Sequence, residues 1–313
     1  MTRIALLIFC RKIVINQTEI VKIKGPVLLA CNHPNSFLDS VILDTLFQQP
    51  VWSLARGDVF KKPFFIRILA ALKIFPVYRT SEGVENLSEN YKTFDACINI
   101  FRQNGIITIF SEGKCINEWH LRSLKKGTAR LAVKAWEENI PLQVIPVGIN
   151  YSSFRRFGKN IFINFGSPVK KEDINFNEPD GLRHQTFNHQ LQLQLEKLVF
   201  EIPKQDKQKQ KQLLVLKPPE LKQLLLSIPA AIGFLIHLPL YIPVKNYTWK
   251  RTNHNDHFDS VLLAILLFTY IPYLLIFVAV CWILSGCWWV LSLLLLIPFT
   301  AWAYVQLKPQ LDK

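Results

Sequence analysis

Residues 261–284 form an apolar run without a single charged side chain, and this run limits where the chain can fold. About 20 such residues in helical form cross the hydrocarbon of a bilayer, so the run is expected to be a membrane helix; the alternative is one arm of a hairpin buried in a soluble core. Two further apolar segments, residues 224–244 and 288–305, flank it. Only Ser285-Gly286-Cys287 separates the last two, so they are expected to pair as a tight helical hairpin. The first segment contains Pro229, Pro239 and Pro243 and is followed by Lys245, Lys250 and Arg251. If it spanned, those cations would lie outside, against the positive-inside tendency, so an interfacial or re-entrant course is expected for it. Both termini and the N-terminal domain then lie on the cytoplasmic face.

Upstream of these segments, residues 203–222 are a Lys/Gln stretch containing Lys204, Lys207, Lys209, Lys211, Lys217 and Lys222. Such a stretch is either a solvated linker or, beside a membrane, an attraction for anionic headgroups of about 1 kcal/mol per lysine. The net charge of +14 suits nucleic acid, an anionic membrane or phosphorylated substrates, and the apolar segments select the membrane over nucleic acid. Six cysteines, at positions 10, 31, 97, 115, 281 and 287, make no C-x-x-C pair, so neither a zinc site nor a disulfide framework is expected. Residues 4–10 are too short an apolar run for a signal peptide and suit a membrane-touching helix or a first strand.

The remaining sequence alternates between the two periodicities of secondary structure. Short apolar runs at residues 27–30, 51–55, 74–78, 106–110, 142–148 and 161–166 predict strands, with one or two more within 11–24. Between them, residues 63–72, 84–103 and 125–138 predict helices, and residues 181–202 a long polar one. Leu87, Tyr91, Phe94, Ile98 and Phe101 recur at helical spacing as a core stripe. The expected fold is α/β, a mostly parallel sheet flanked by helices, with a C-terminal membrane-associated helical hairpin. Residues 1–202 are expected to be the catalytic domain, 203–222 a basic linker and 223–313 the membrane-associated helices.

In such a sheet ligands bind beyond the carboxyl ends of the strands, and the chemistry-bearing residues fall there. After residues 27–30 comes Cys31-Asn32-His33-Pro34-Asn35-Ser36-Phe37-Leu38-Asp39. Pro34 stops the strand, and Asn35 or Ser36 can cap a helix carrying Asp39. Within one helix, residues six apart lie about 120° apart around the axis and do not meet. With His33 in the loop and Asp39 one turn inside, the imidazole can fold back so that Asp39 accepts its Nδ1 proton and Nε2 is left as a base. The plainer alternative is a polar loop that only caps the helix.

Three more blocks follow in order: residues 54–79, ending in Phe75-Pro76-Val77-Tyr78-Arg79; Phe110-Ser111-Glu112-Gly113; and Val144-Ile145-Pro146-Val147. Together with the His33–Asp39 block, one residue longer than His-x4-Asp, they resemble the glycerolipid acyltransferase superfamily over roughly residues 15 to 170. Leu121-Arg122-Ser123-Leu124-Lys125-Lys126-Gly127 is similar to a stretch in bacterial relatives of the fungal-type glycerol-3-phosphate and dihydroxyacetone-phosphate acyltransferases. Ser111 departs from the usual proline, Lys114-Cys115 from the usual Thr-Arg, and the block around Arg79 lacks its glycine.

The resemblance implies O-acyl transfer from acyl-CoA or acyl-carrier protein to glycerol-3-phosphate or 1-acyl-glycerol-3-phosphate, without cofactor or metal. His33 would be the base and Asp39 its orienting partner. Arg79 would clamp the acceptor phosphate with its planar fork. Glu112 and Gly113 would line the acceptor pocket, and Lys114, Arg122 and Lys125 could replace the missing arginine. Arg56, Lys61 and Lys62 could meet headgroups or the donor's phosphates. Cys31 and Cys115 are expected to be packing residues, and residues 254–259, with two histidines and two aspartates, a polar membrane-edge loop, not a metal site. Two rival functions remain open on the residues: acylation of an aminoacyl lyso-lipid, which needs no phosphate clamp, and non-enzymatic lipid binding or membrane tethering.

Overall fold

The computed structural model describes residues 6, 8–57, 66–67, 69–70, 72–77 and 87–312. Among them one seven-stranded sheet is built from β1 (Cys10–Ile15), β2 (Val27–Cys31), β3 (Val51–Arg56), β4 (Ile74–Val77), β5 (Ile106–Phe110), β6 (Gln143–Tyr151) and β7 (Lys159–Phe165). Its order is β1-β7-β6-β2-β5-β3-β4. Every neighbouring pair is parallel except β6 with β7. The central β2 is entirely buried, as expected of a strand covered on both faces. Of the one or two strands expected within residues 11–24, β1 is one, and residues 18–22 form a 3-10 turn. Ile20, Val21 and Ile23 still pack on the core, and the turn lets neighbouring apolar residues do so without a ladder partner.

Helices α1 (Phe37–Leu46), α2 (Leu87–Arg102), α3 (Lys126–Glu137) and α4 (Asp180–Leu198) flank the sheet. In α4 the spacing of Phe187, Leu191 and Leu195, all buried, gives an otherwise polar helix one apolar seam. In α2 the inward face runs through Thr93, Cys97 and Phe101, whereas Tyr91 is 73% exposed. Positions i, i+4 and i+8 share a face and Tyr91 lies two residues off it, so Tyr91 is not part of the core stripe. The Lys/Gln stretch is not simply extended linker: it contains α5 (Lys207–Leu214), capped by Asp206 accepting from Lys209 N. Leu214 at its end is fully buried in the sheet's core.

The C-terminal third is α6 (Glu220–Thr252), α7 (Phe258–Ser285) and α8 (Leu293–Leu307). Among the described residues three helical stretches, Glu220–Thr252, Phe258–Ser285 and Trp288–Leu307, are long and apolar enough to cross a membrane. Two expectations are corrected. First, α6 is one uninterrupted helix through Pro229, Pro239 and Pro243, about 50 Å long at 1.5 Å per residue, and does not re-enter. Second, α8 packs mainly along α6 and only to a lesser extent on α7. Leu226 and Ala230 pack with Ala303, while farther along α6 Tyr273 Oη donates to Ile236 O and the His237 ring stacks on Tyr270. Small residues decide the pairing: at Gly233 an added Cβ would lie 2.1 Å from Thr300 O, so these two backbones nearly touch.

Both halves of α6 are also held by the domain. Tyr241 meets Phe157, the Arg155 guanidinium lies over Trp249, and Lys222 reaches Gln306, which donates to Arg11 O. On its outward face Leu221, Leu224, Leu225, Ile228, Ile232 and Leu235 are exposed. Gly233→Ala should therefore force α6 and α8 apart, at about 1–3 kcal/mol. The expected outcome is a lower thermal midpoint of the detergent-solubilised protein, while Ile228→Ala on the exposed stripe leaves that midpoint nearly unchanged.

Candidate active site

Parallel strands send their carboxyl ends to one edge of the sheet, and the His33–Asp39 and Phe110–Gly113 blocks meet there. The chain leaves β2 at Cys31 and turns through residues 32–36 into α1. Asp39 occupies the first turn of α1 and His33 the loop before it. In this arrangement His33 Nδ1 lies 2.9 Å from Asp39 Oδ2.

Asp39 is completely buried and its carboxylate has two further donors. Asn35 N donates to Oδ2 at 2.9 Å and the Tyr151 hydroxyl to Oδ1 at 2.6 Å. Burial and the adjacent Asp39 charge push the Tyr151 hydroxyl well above its ordinary value, which keeps it a donor. The His33 ring stacks on Phe110, centroids 3.9 Å apart. Its side chain remains 18% exposed. One face is thus covered by an apolar ring, and Nε2 has no hydrogen-bond partner among the described residues.

Glu112 lies beside this turn. It is buried, and both carboxyl oxygens are occupied by backbone amides: His33 N donates to Oε2 and Arg122 N to Oε1, each at 2.9 Å. It ties the His33 loop to residues 121–125 and presents no free oxygen. Burial pushes its carboxyl up, opposed by these two hydrogen bonds and by His33. Gly113 follows in the left-handed region, φ +66°, where an added Cβ would come within 3.0 Å of Lys125 Cγ, so glycine is required at this turn. Lys114 and Lys125 are exposed. Arg122 is paired with Glu118. Arg79, Lys61 and Lys62 lie outside the described residues, as does the side chain of Arg56.

Neither cysteine beside the site has nucleophilic character. Cys31 is buried in β2, and Cys115 Sγ accepts a hydrogen bond from Ser36 N at 2.9 Å. Burial, with Asp39 nearby, raises both thiols and keeps them protonated. Among the described residues no three His, Cys, Asp or Glu side chains converge as metal ligands.

Several members of the site were not visible in the sequence. Tyr151 ends a run of apolar residues and carried no motif. Residues 257–260, at the end of the stretch expected at a membrane edge, sit on the His33–Asp39 turn. Asn35 Nδ2 donates to Asp259 Oδ2 at 2.7 Å, Ser36 Oγ lies 2.6 Å from His257 Nδ1, and Leu38 N donates to Ser260 Oγ at 3.2 Å. Asp259 also forms a fully buried ion pair with Lys159. The one available signal was an aspartate at the mouth of the longest apolar run, where an acid needs a partner.

Because Glu112 accepts from two backbone amides, Glu112→Gln should turn an NH2 group toward one of them. Leaving that buried amide unpaired costs about 1–3 kcal/mol, so chemical denaturation of the variant should show a loss of that size.

This chain is similar to the following known proteins. Residues 12–150 match the family model described as Acyltransferase. The 1-acyl-sn-glycerol-3-phosphate acyltransferase of Borreliella burgdorferi (strain ATCC 35210 / DSM 4680 / CIP 102532 / B31) is 27% identical over 158 residues, 50% of this chain. The matched region spans 58% of that relative's length. The crystal structure of the 1-acyl-sn-glycerophosphate (LPA) acyltransferase PlsC from Thermotoga maritima aligns with TM-score 0.40 and 15% identity, over 63% of this chain and 78% of that one. Residues 12–150, which run from β1 into β6 and contain His33, Asp39 and Glu112, are thus the part of this chain that is similar to the Acyltransferase family.

Proposed function

We propose that the protein is a membrane-associated O-acyltransferase that moves a fatty acyl group from a thioester, acyl-CoA or acyl-carrier protein, to a hydroxyl of glycerol-3-phosphate or 1-acyl-glycerol-3-phosphate. The observation that carries this reading is the contact of His33 Nδ1 with buried Asp39, on a ring that keeps 18% of its side chain exposed and whose Nε2 has no hydrogen-bond partner among the described residues.

The chemistry follows from that geometry. Asp39 accepts from Nδ1, which fixes the tautomer with a lone pair on Nε2. Nε2 takes the proton of the acceptor hydroxyl as its oxygen attacks the thioester carbonyl, and Asp39 stabilises the imidazolium that forms. When the tetrahedral intermediate collapses, the C–S bond breaks, the acyl ester remains on the acceptor oxygen, and the proton passes from Nε2 to the departing thiolate. The acceptor oxygen attacks directly, so the protonated Cys31 and Cys115 have no part in this sequence.

A phosphorylated acceptor is supported by the name of the Borreliella relative and by the basic residues Lys114 and Lys125 exposed near this edge. Arg79, which follows β4 in the sequence, would supply the bidentate clamp. The exposed stripe on α6 and the apolar surfaces of α7 and α8 support a membrane location. In this reading α6 lies along the cytoplasmic leaflet, since the domain holds both of its halves.

The test is turnover of labelled acyl donor by the full-length protein in vesicles with glycerol-3-phosphate, 1-acyl-glycerol-3-phosphate and a neutral aminoacyl lyso-lipid. A phosphorylated acceptor should be used, and His33→Ala should lower kcat by about 10²- to 10⁴-fold. Full turnover in that variant would remove His33 as the base, and no turnover with any acceptor would reject catalysis. Arg79→Ala should raise KM for a phosphorylated acceptor more than for a neutral one; an equal effect on both would reject the clamp.

A further inference from the structure

The turn that carries the catalytic pair is held in a conformation it would not adopt unaided. Ser36, between His33 and Asp39, has φ 54° and ψ −138°, a region sparsely populated by any residue with a Cβ. A conformation of this kind persists only where its surroundings over-determine it. Here Cys115 Sγ takes the Ser36 amide, and among the described residues the other side chains bonded to residues 35, 36 and 38 from beyond this turn come from the start of α7: Asp259 on Asn35, His257 on Ser36 and Ser260 on Leu38. The Asn35 amide in turn is one of the three donors to Asp39.

These contacts come from 221 to 224 residues away along the chain and from outside the acyltransferase-family segment at 12–150. Their anchor is Lys159, at the start of β7. That strand runs antiparallel to β6, so its first residue returns to the catalytic edge. Lys159 and Asp259 are both completely inaccessible, and a buried carboxylate with a lysine and an amide donor on it is fixed in position.

We propose that residues 257–260, anchored by the Asp259–Lys159 pair, are a positioning brace for the catalytic turn. The start of α7 holds Asn35, Ser36 and Leu38 so that Asp39 and His33 keep their register, and α7 therefore completes the catalytic site in addition to carrying apolar surface. This proposal rests on the reading of His33 as the base. A base held within a fraction of an ångström of its productive position loses rate steeply when the turn relaxes. The brace touches neither acceptor nor donor, so its loss should fall on kcat and spare KM.

The test uses full-length protein in vesicles, with 1-acyl-glycerol-3-phosphate as acceptor. Two variants remove the brace by different routes. Lys159→Met with Asp259→Asn removes both buried charges together and leaves neither unpaired, and Ser260→Ala removes one acceptor and no charge, so it keeps the test open if the double variant does not fold. Each should lower kcat, the double variant by about 10- to 100-fold and Ser260→Ala by a smaller factor, with KM within about twofold and vesicle flotation unchanged.

Adding Ser36→Gly, which takes a positive φ without strain, should recover several-fold of the lost kcat. A purely architectural role for α7 gives no such recovery. Folded, vesicle-bound variants whose kcat stays within twofold of the parent would overturn the brace, as would a loss of kcat that Ser36→Gly does not relieve. His33→Ala in parallel separates the two readings: if it abolishes turnover while the brace variants are normal, only the brace fails, and if it retains turnover, the assignment of the base fails first.

Discussion

A carboxylate taken out of water needs donors, and the architecture around the site is organised by how Asp39 obtains them. Transfer of an unpaired carboxylate to an apolar interior is prohibitive, whereas one with several hydrogen bonds is tolerated. Asp39 receives them from the loop after β2 through His33 Nδ1 and Asn35 N, and from the end of β6 through the Tyr151 hydroxyl. Three segments are thereby joined at one buried point. The arrangement also determines which nitrogen of His33 is occupied, so a requirement of folding and a requirement of proton transfer are met by the same hydrogen bond.

The next layer follows from sheet topology. Parallel β2, β5 and β6 bring the His33 loop, Glu112 and Tyr151 to one edge, and Glu112 uses both oxygens to tie the His33 loop to residues 121–125. Antiparallel β7 adds Lys159 from the opposite direction. An all-parallel continuation would have placed the first residue of that strand at the far edge. The single reversal in the sheet thus puts a cation behind the catalytic turn, where Asp259 can use it.

Legibility in the sequence tracks the distance over which each feature is determined. The strands and helices around the site could be read because hydrophobic period and turn residues act locally. His33 and Asp39 could be paired because six residues with one proline leave few ways to join a strand to a helix. Residues 18–22 left two readings open because their apolar residues pack from a 3-10 turn, and Tyr91 misled because apolar spacing does not say where a helix meets its sheet. Tyr151, Lys159 and Asp259 were out of reach for another reason. Their partners lie 100 or more residues away, and each depends on how whole elements dock. The order of helix packing was misjudged on the same ground: a short connection suggested α7 with α8, whereas the small residues Ala230, Gly233 and Ala303 let α6 and α8 approach closely.

The C-terminal helices and the catalytic edge are therefore not independent parts. The first turn of α7 lies against the His33–Asp39 turn, and the rest of that helix presents Phe268, Leu275, Ile276, Ile283 and Leu284 outward. A helix with such a surface is stable in hydrocarbon and costly in water. The His33–Asp39 turn is thus held at the start of α7, about 15 Å before Phe268, the first of these outward residues. Under the function proposed above, an acceptor whose acyl chain stays in the leaflet would present its hydroxyl at the polar boundary of the bilayer. A base fixed to the start of a lipid-seeking helix would meet that hydroxyl without extracting the acceptor, whereas a soluble domain on a flexible tether would have to extract it. The contacts that steady His33 would then also set its depth.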